Sequence, residues 1–222
     1  MKVWERGACN LGILYDDLNM LDQAREWYQY SLDIAGKISN QKIIELATGN
    51  LGLMYLKQGQ FTKALDCFEH HLQLARKNGD QWSEGNALTN KGIASIKLQN
   101  YVQALECFRN SITINQRLRD HEGEAKNLSY IGIVLETTGD LDGAVLAYQS
   151  RIAIAQELND FHGEAIGSWN LGKILIKQKR YRLGLACLRK CIDHEKNIGD
   201  PAWTEDLKAI QEIEALYGNT EE

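Results

Sequence analysis

The amino-acid sequence predicts an all-α solenoid built from five helix-turn-helix units. Small residues recur in two columns and large apolar residues in a third, all with a period of 40 residues and no insertion. The first column is Gly12, Gly52, Gly92, Gly132 and Gly172, the second is Ala24, Ala64, Ala104, Ala144 and Gly184, and the third is Tyr28, Phe68, Phe108, Tyr148 and Leu188. Three columns in step across the chain define a structural repeat.

Each unit contains two stretches of helical apolar spacing separated by a turn. In the third unit, Leu88, Ile93 and Ile96 follow helical spacing, the pattern breaks at Gln99, and it resumes at Tyr101. We therefore expect a single array over residues 1–222, with repeats at about 4–39, 40–79, 80–119, 120–159 and 160–199 and a capping helix over about 201–217. Each paired helix should have roughly 13–18 residues.

The junctions between units carry residues that begin helices. An asparagine or aspartate stands at the start of each unit after the first and before the capping helix, and its side-chain oxygen can accept a hydrogen bond from the free amides of the following turn. The column is Asn40, Asp80, Asp120, Asp160 and Asp200, with Pro201 following at a position where its missing N–H is harmless.

The small columns have a packing reason. Two helices can approach within about 8–10 Å only where one of them lacks a bulky side chain. We expect Gly172 to face Gly184, and we expect Gly92 and Ala104 to tolerate no large residue.

Composition and motifs exclude several classes of function. The net charge of −5 argues against nucleic acid as a partner, and no apolar run is long enough to insert into a membrane. Five cysteines without paired local spacing indicate free thiols and a cytoplasmic location. The five histidines lie in no catalytic motif. Cys187, Cys191 and His194 share one helical face but have no fourth ligand, so we expect neither a metal nor a cofactor nor an enzyme.

The columns resemble the tetratricopeptide repeat (TPR). The matching features are the Leu-Gly pairs at 11–12, 51–52 and 171–172, the aromatics Tyr15 and Tyr55, and the alanine and aromatic columns. The 40-residue period resembles the longer-helix subclass of Pins-type adaptors and kinesin light chains. The resemblance implies a right-handed superhelix whose first helices line a concave, peptide-binding face.

That resemblance selects a set of candidate peptide-binding side chains on the first helices. They are Arg6, Asn10, Asn50, Lys57, Asn86, Asn90, Lys97, Lys126, Tyr130, Asn170, Lys173 and Lys177, with Asp16, Asp17, Glu136, Leu53, Ile93, Ile133 and Ile176 at the same phases. The asparagine amides can pair with the backbone of an extended segment of any sequence. The alternative is that they bridge neighbouring helices of the scaffold. The excess of lysines would attract acidic residues of a partner, unless it only solvates the groove.

The sequence therefore predicts an adaptor that binds a protein or linear peptide. If the lysines attract the partner, that partner carries acidic residues. The adaptor itself is expected to be a monomer or a weak homo-oligomer. An alternative is a ligand-sensing or regulatory domain that belongs to a larger signalling protein. A binding surface of this kind needs no bound cofactor.

Overall fold

The computed structural model describes residues 4–199, 201 and 203–217 of the chain, and within them it contains eleven α-helices and no β-strand. The paired helices have 14 to 18 residues, as predicted, and the last helix has 15. The helices are α1 (Trp4–Asp17), α2 (Leu21–Lys37), α3 (Gln41–Lys57), α4 (Phe61–Asn78), α5 (Gln81–Lys97), α6 (Tyr101–Leu118), α7 (His121–Thr138), α8 (Leu141–Glu157), α9 (Phe161–Lys177), α10 (Tyr181–Ile198) and α11 (Trp203–Tyr217).

The predicted caps begin the first helices of the second to fifth repeats. Asn40, Asp80, Asp120 and Asp160 each accept a hydrogen bond from the backbone amide three residues later, at 3.4, 3.0, 2.9 and 2.8 Å respectively. These bonds satisfy an amide that would otherwise lack a partner in the first turn. The expected cap Asp200 lies outside the described residues.

The eleven helices form two compact units, each of which contains more than one repeat and has its own core. From here on, a helix-turn-helix pair is called a repeat and each of these two larger bodies a unit. In the first unit, α1 to α6, α2 packs against α3 and α4 packs against α5, and α3 also contacts α1 and α5. In the second unit, α7 to α11, the last helix packs on α10 and buries Ile210 against Leu185 and Ile192. Lys208, Gln211 and Glu212 of α11 are exposed, as expected of a helix that covers an apolar end.

The glycine column lets the first helix of each pair meet a buried side chain of the second. A Cβ atom added to Gly12, Gly52, Gly92 or Gly132 would lie 2.5–2.6 Å from a ring atom of the Tyr or Phe sixteen residues later. Those four rings are at most 1% exposed. In the fifth repeat a Cβ added to Gly172 would lie 2.7 Å from Leu188 and 2.9 Å from the carbonyl oxygen of Gly184, which confirms the expected close contact of the two glycines.

A buried polar cluster joins α3 and α4 in the first unit. Asn78 Nδ2 donates to Glu45 Oε2 over 2.6 Å, and His71 Nε2 lies 3.8 Å from Glu45 Oε1. Glu45 is 6% and His71 9% exposed, and His71 Nδ1 has no hydrogen-bond partner in the described part of the chain. Burial lowers the pKa of His71, although the nearby Glu45 and Asp80 carboxylates oppose that shift. His71 is therefore held in its neutral form more strongly than in an unfolded chain.

We predict that Gly92→Ala destabilises the fold by about 1–3 kcal/mol, because its Cβ would lie 2.6 Å from the fully buried ring of Phe108. Gly36→Ala in α2 is the control, since a Cβ there meets no atom within 4 Å. Urea unfolding followed by circular dichroism measures both variants. Equal midpoints for the two would show that the glycine column does not set the distance between the helices.

We predict that acidification destabilises the fold partly through His71. Its pKa is lower in the folded than in the unfolded state, so the unfolded chain binds more protons between the two values. The stabilisation is complete above the unfolded pKa of about 6.5 and decreases as the pH falls through that value. His71→Gln should therefore lose less stability than the wild type between about pH 7.5 and 5.5. The exposed neighbour His70→Gln is the control, and a wild-type slope in His71→Gln would contradict the assignment.

Candidate functional site

Consecutive first helices of a unit contact each other through side chains 41 residues apart, which is one residue more than the repeat. Asn50 of α3 donates to Cys9 Sγ of α1 over 3.9 Å, and Lys57 pairs with Asp16 over 2.8 Å. In the second unit Lys177 of α9 pairs with Glu136 of α7 at the same spacing. Within each compact unit, a side chain on one first helix thus lies beside the residue one position earlier in the preceding repeat.

This spacing separates the predicted asparagines into two groups. The amide of Asn50 bonds to Cys9 and so acts as the bridge between helices that the alternative hypothesis describes. The residue 41 positions before Asn90 is Gly49, which has no side chain to accept a bond. Within the described residues, neither Asn90 nor Asn170 forms a side-chain hydrogen bond, and both are half-buried. Asn86 is also half-buried, whereas Asn10 is exposed.

The same spacing separates the lysines. Lys57 and Lys177 are ion-paired within the scaffold, through contacts that stabilise an exposed surface by about 0–1 kcal/mol. Lys97 has Leu56 and Lys173 has Gly132 at the corresponding positions, so neither meets an acid there. Lys97, Lys126, Lys173 and Arg6 are exposed, and no carboxylate of the described residues lies within 4.0 Å of them. Unpaired positive charge therefore remains on first helices of both units.

The apolar residues that follow the glycines do not all form open pockets. Ile13 packs against the cluster that contains Tyr28 and Leu51, and Leu53 packs against the cluster that contains Phe68. Ile176 packs against Leu188 in the second unit. The side chains of Ile13, Leu53 and Ile176 therefore complete the core and do not form open pockets. Ile133, in contrast, is 39% exposed.

Four of the predicted side chains line one groove in the second unit. The groove has a volume of about 750 Å³ and lies between α7, α8 and α9. Lys126, Tyr130 and Ile133 line it from α7, and Asn170 lines it from α9. Burial raises the pKa of Tyr130, so its hydroxyl remains a neutral group that can donate and accept. The structure thus joins an amide, a phenol, a lysine and an apolar side chain in one concave site.

Arg151 of α8 also lines this groove, and the sequence-based prediction did not include it. Its Nη1 donates to the backbone carbonyl of Gly163 at the start of α9, and its Nε is buried without a hydrogen-bond partner among the described residues. Burial lowers the pKa of Arg151, while the Asp160 carboxylate opposes the shift. A guanidinium remains charged at physiological pH despite such a shift.

The sequence did hold a signal for Arg151. The residues at the same position in the other four repeats are Ser31, His71, Ser111 and Cys191, and each is at most 9% exposed. A long cationic side chain in a column of buried, mostly small residues is out of place. It must therefore either be paired within the fold or reach a surface where it can bind something.

The cysteines are buried or half-buried among the packed helices. All five cysteines are free thiols, and Cys191, one of the three residues weighed as metal ligands, donates from Sγ to Glu195. Burial raises the pKa of Cys191 to about 12, so it is a protonated thiol at neutral pH. In the part of the chain that the structure describes, no group of three or more His, Cys, Asp or Glu side chains is placed to hold a metal ion, and no helix is both long and apolar enough to cross a bilayer.

Comparison with known proteins agrees with this geometry. Sequence models of the tetratricopeptide repeat match residues 6–37, 47–78, 83–157 and 168–197. The chain therefore belongs to the tetratricopeptide repeat family, a class of proteins that generally mediate protein–protein interactions. No curated protein sequence gives a significant match.

Three solved structures show the same fold at low sequence identity. BtubC (BKLC) from P. vanneervenii aligns with a TM-score of 0.73 and 17% identity, over 96% of this chain and 80% of that one. A kinesin light chain-like protein of Podosopora anserina with nearly identical TPR-like repeats gives 0.74 and 15%, over 86% and 95%. YrrB, described as a TPR protein with an unusual peptide-binding site, gives 0.60 and 22%, over 92% and 90%.

We predict that Asn50→Ala lowers the free energy of unfolding by about 0.5 kcal/mol, because it removes the bond to Cys9. Asn90→Ala should leave stability unchanged, since the described structure gives its amide no partner. The two variants are matched in residue type and in position within the repeat, and chemical unfolding of both is the measurement. Equal losses would mean that Asn90 also bridges helices.

Proposed function

We propose that this protein is an adaptor that holds an extended segment of a partner protein on the exposed faces of its first helices. Each of the two units provides its own part of this binding surface. The observation that carries the proposal is that Asn90 and Asn170 keep free amides at one phase of the repeat, on helices that also carry the unpaired lysines Lys97 and Lys173. Asn50, Lys57 and Lys177 contribute less, because the scaffold already uses their polar groups.

The chemistry of these side chains determines what they recognise. An amide donates and accepts at once, so it can pair with the backbone of an extended segment without reading its sequence. Lys97, Lys126 and Lys173 would attract acidic side chains and accelerate association, which matters in a chain whose net charge is −5. The peptide-binding site named for YrrB, a similar fold, supports this proposal.

The family resemblance also favours a scaffold over an enzyme. Repeats of this class are typically non-catalytic, and their surfaces evolve as recognition sites. The partner we propose is therefore another protein rather than a small-molecule substrate. The sequences of the peptides that the protein binds in a selection would identify this partner.

The test selects peptides from a phage-displayed random library on the wild-type protein and measures the affinity of the synthetic peptides. Asn90→Ala and Asn170→Ala should each weaken binding by about 0.5–1.5 kcal/mol, which is the net contribution of one neutral hydrogen bond. Lys173→Glu should instead slow association and reduce its dependence on salt.

Asn110→Ala is the control for the amide variants, because Asn110 is an exposed asparagine on the second helix α6. It should bind every selected peptide with wild-type affinity. If Asn90→Ala and Asn170→Ala bind as tightly as this control, the partner does not lie on the first helices and the proposal fails.

A further inference from the structure

Small residues of α9 lie beside Arg151 at the groove of the second unit. A Cβ added to Gly167 would lie 2.7 Å from Ile152 and 3.4 Å from Nη1 of Arg151, and the backbone carbonyl of Gly163 accepts a hydrogen bond from Nη1. Ala125 of α7 lines the opposite side. A guanidinium thus lies beside an open volume of about 750 Å³ instead of being enclosed by larger side chains.

Arg151 has no ion-pair partner in the described structure. Of the two carboxylates that line the groove, Asp160 accepts from the Gly163 amide over 2.8 Å as the cap of α9, and Glu122 is exposed in the first turn of α7. Neither lies within 4.0 Å of a guanidinium nitrogen. Lys126, whose ammonium is likewise unpaired among the described residues, lines the same groove.

The walls beside these two cations are apolar. Ile133, Leu158 and Ile166 line the groove and are 39%, 48% and 38% exposed, which is high for large aliphatic side chains. Burial of each under a ligand would contribute favourably to binding, since apolar surface removed from water gains about 25 cal/mol per Å². The groove therefore combines positive charge with an adjacent apolar surface.

From this combination we infer that the groove is the anchor site for an acidic side chain of the partner segment, with Arg151 and Lys126 binding its carboxylate and Ile133, Leu158 and Ile166 receiving an apolar side chain next to it. This inference rests on the proposed function and makes it specific. The partner is a protein segment with an aspartate or glutamate adjacent to a large apolar residue. Hydrogen bonds between two ionised groups are about twice as strong as those between neutral ones, so the carboxylate is the dominant anchor.

The test compares peptide selections from the same random phage-displayed library on the wild type, Arg151→Gln and Lys126→Gln. Wild-type selections should be enriched in an acidic residue beside a large apolar one. Both variants should lose that enrichment while they still select peptides, and a synthetic wild-type-selected peptide should bind them about 10-fold or more weakly. Replacing its acidic residue by the amide should weaken binding to the wild type equally, and should cause little further loss in the variants.

Lys208→Gln is the charge-matched control, because Lys208 is exposed on α11 outside the groove. It should retain the wild-type selection. Circular dichroism confirms that each variant folds, and Lys126→Gln tests the inference even if Arg151→Gln does not fold, since Lys126 is exposed. Selected peptides without acidic enrichment, or with unchanged enrichment in Lys126→Gln, overturn the anchor but leave the proposed function standing. Failure of the wild type to select any peptide overturns both.

Discussion

The close contact between a glycine of each first helix and a buried side chain of the second determines what the rest of the structure can do. Because the glycine has no Cβ, the ring of Tyr28, Phe68, Phe108 or Tyr148 occupies the space between the two helices. The contact fixes the rotation of the first helix about its axis. Residues two positions before the glycine then turn away from the paired helix, which is why an asparagine there is only half-buried and can remain free.

The fold could be predicted from the sequence because the repeat displays each packing column five times. One glycine proves little, but five in step with five small and five large residues identify the helix pairs, their lengths and the caps at Asn40 to Asp160. Side-chain partners were less accessible. The contacts of Asn50 with Cys9 and of Lys57 with Asp16 join helices that are not consecutive, and periodicity alone does not give their relative stagger. The structure shows that stagger to be one residue between α1 and α3 and between α7 and α9.

Arg151 was missed for a different reason. The family resemblance places candidate binding residues on the first helices, whereas Arg151 belongs to the second helix α8 and lines the groove beside Gly167, where a Cβ would lie 3.4 Å from its Nη1. The departure of one residue from an otherwise buried column is a more general signal of a binding residue than its position in the family's repeat. Such departures are where a repeated scaffold acquires a specific function, since the common residues of the repeat are already needed for packing.

The polar groups that hold the scaffold together differ from those that remain available to bind. We propose that in each unit the available groups of the first helices form the binding surface, and the most direct test is an NMR titration of the isotope-labelled protein with a selected peptide. We expect the largest shifts in the side-chain amide signals of Asn90 and Asn170 and in the backbone signals around Lys126, with those of the exposed second-helix residue Asn110 unchanged. Shifts concentrated on α2, α4, α6 and α10, with the first helices unaffected, would contradict it.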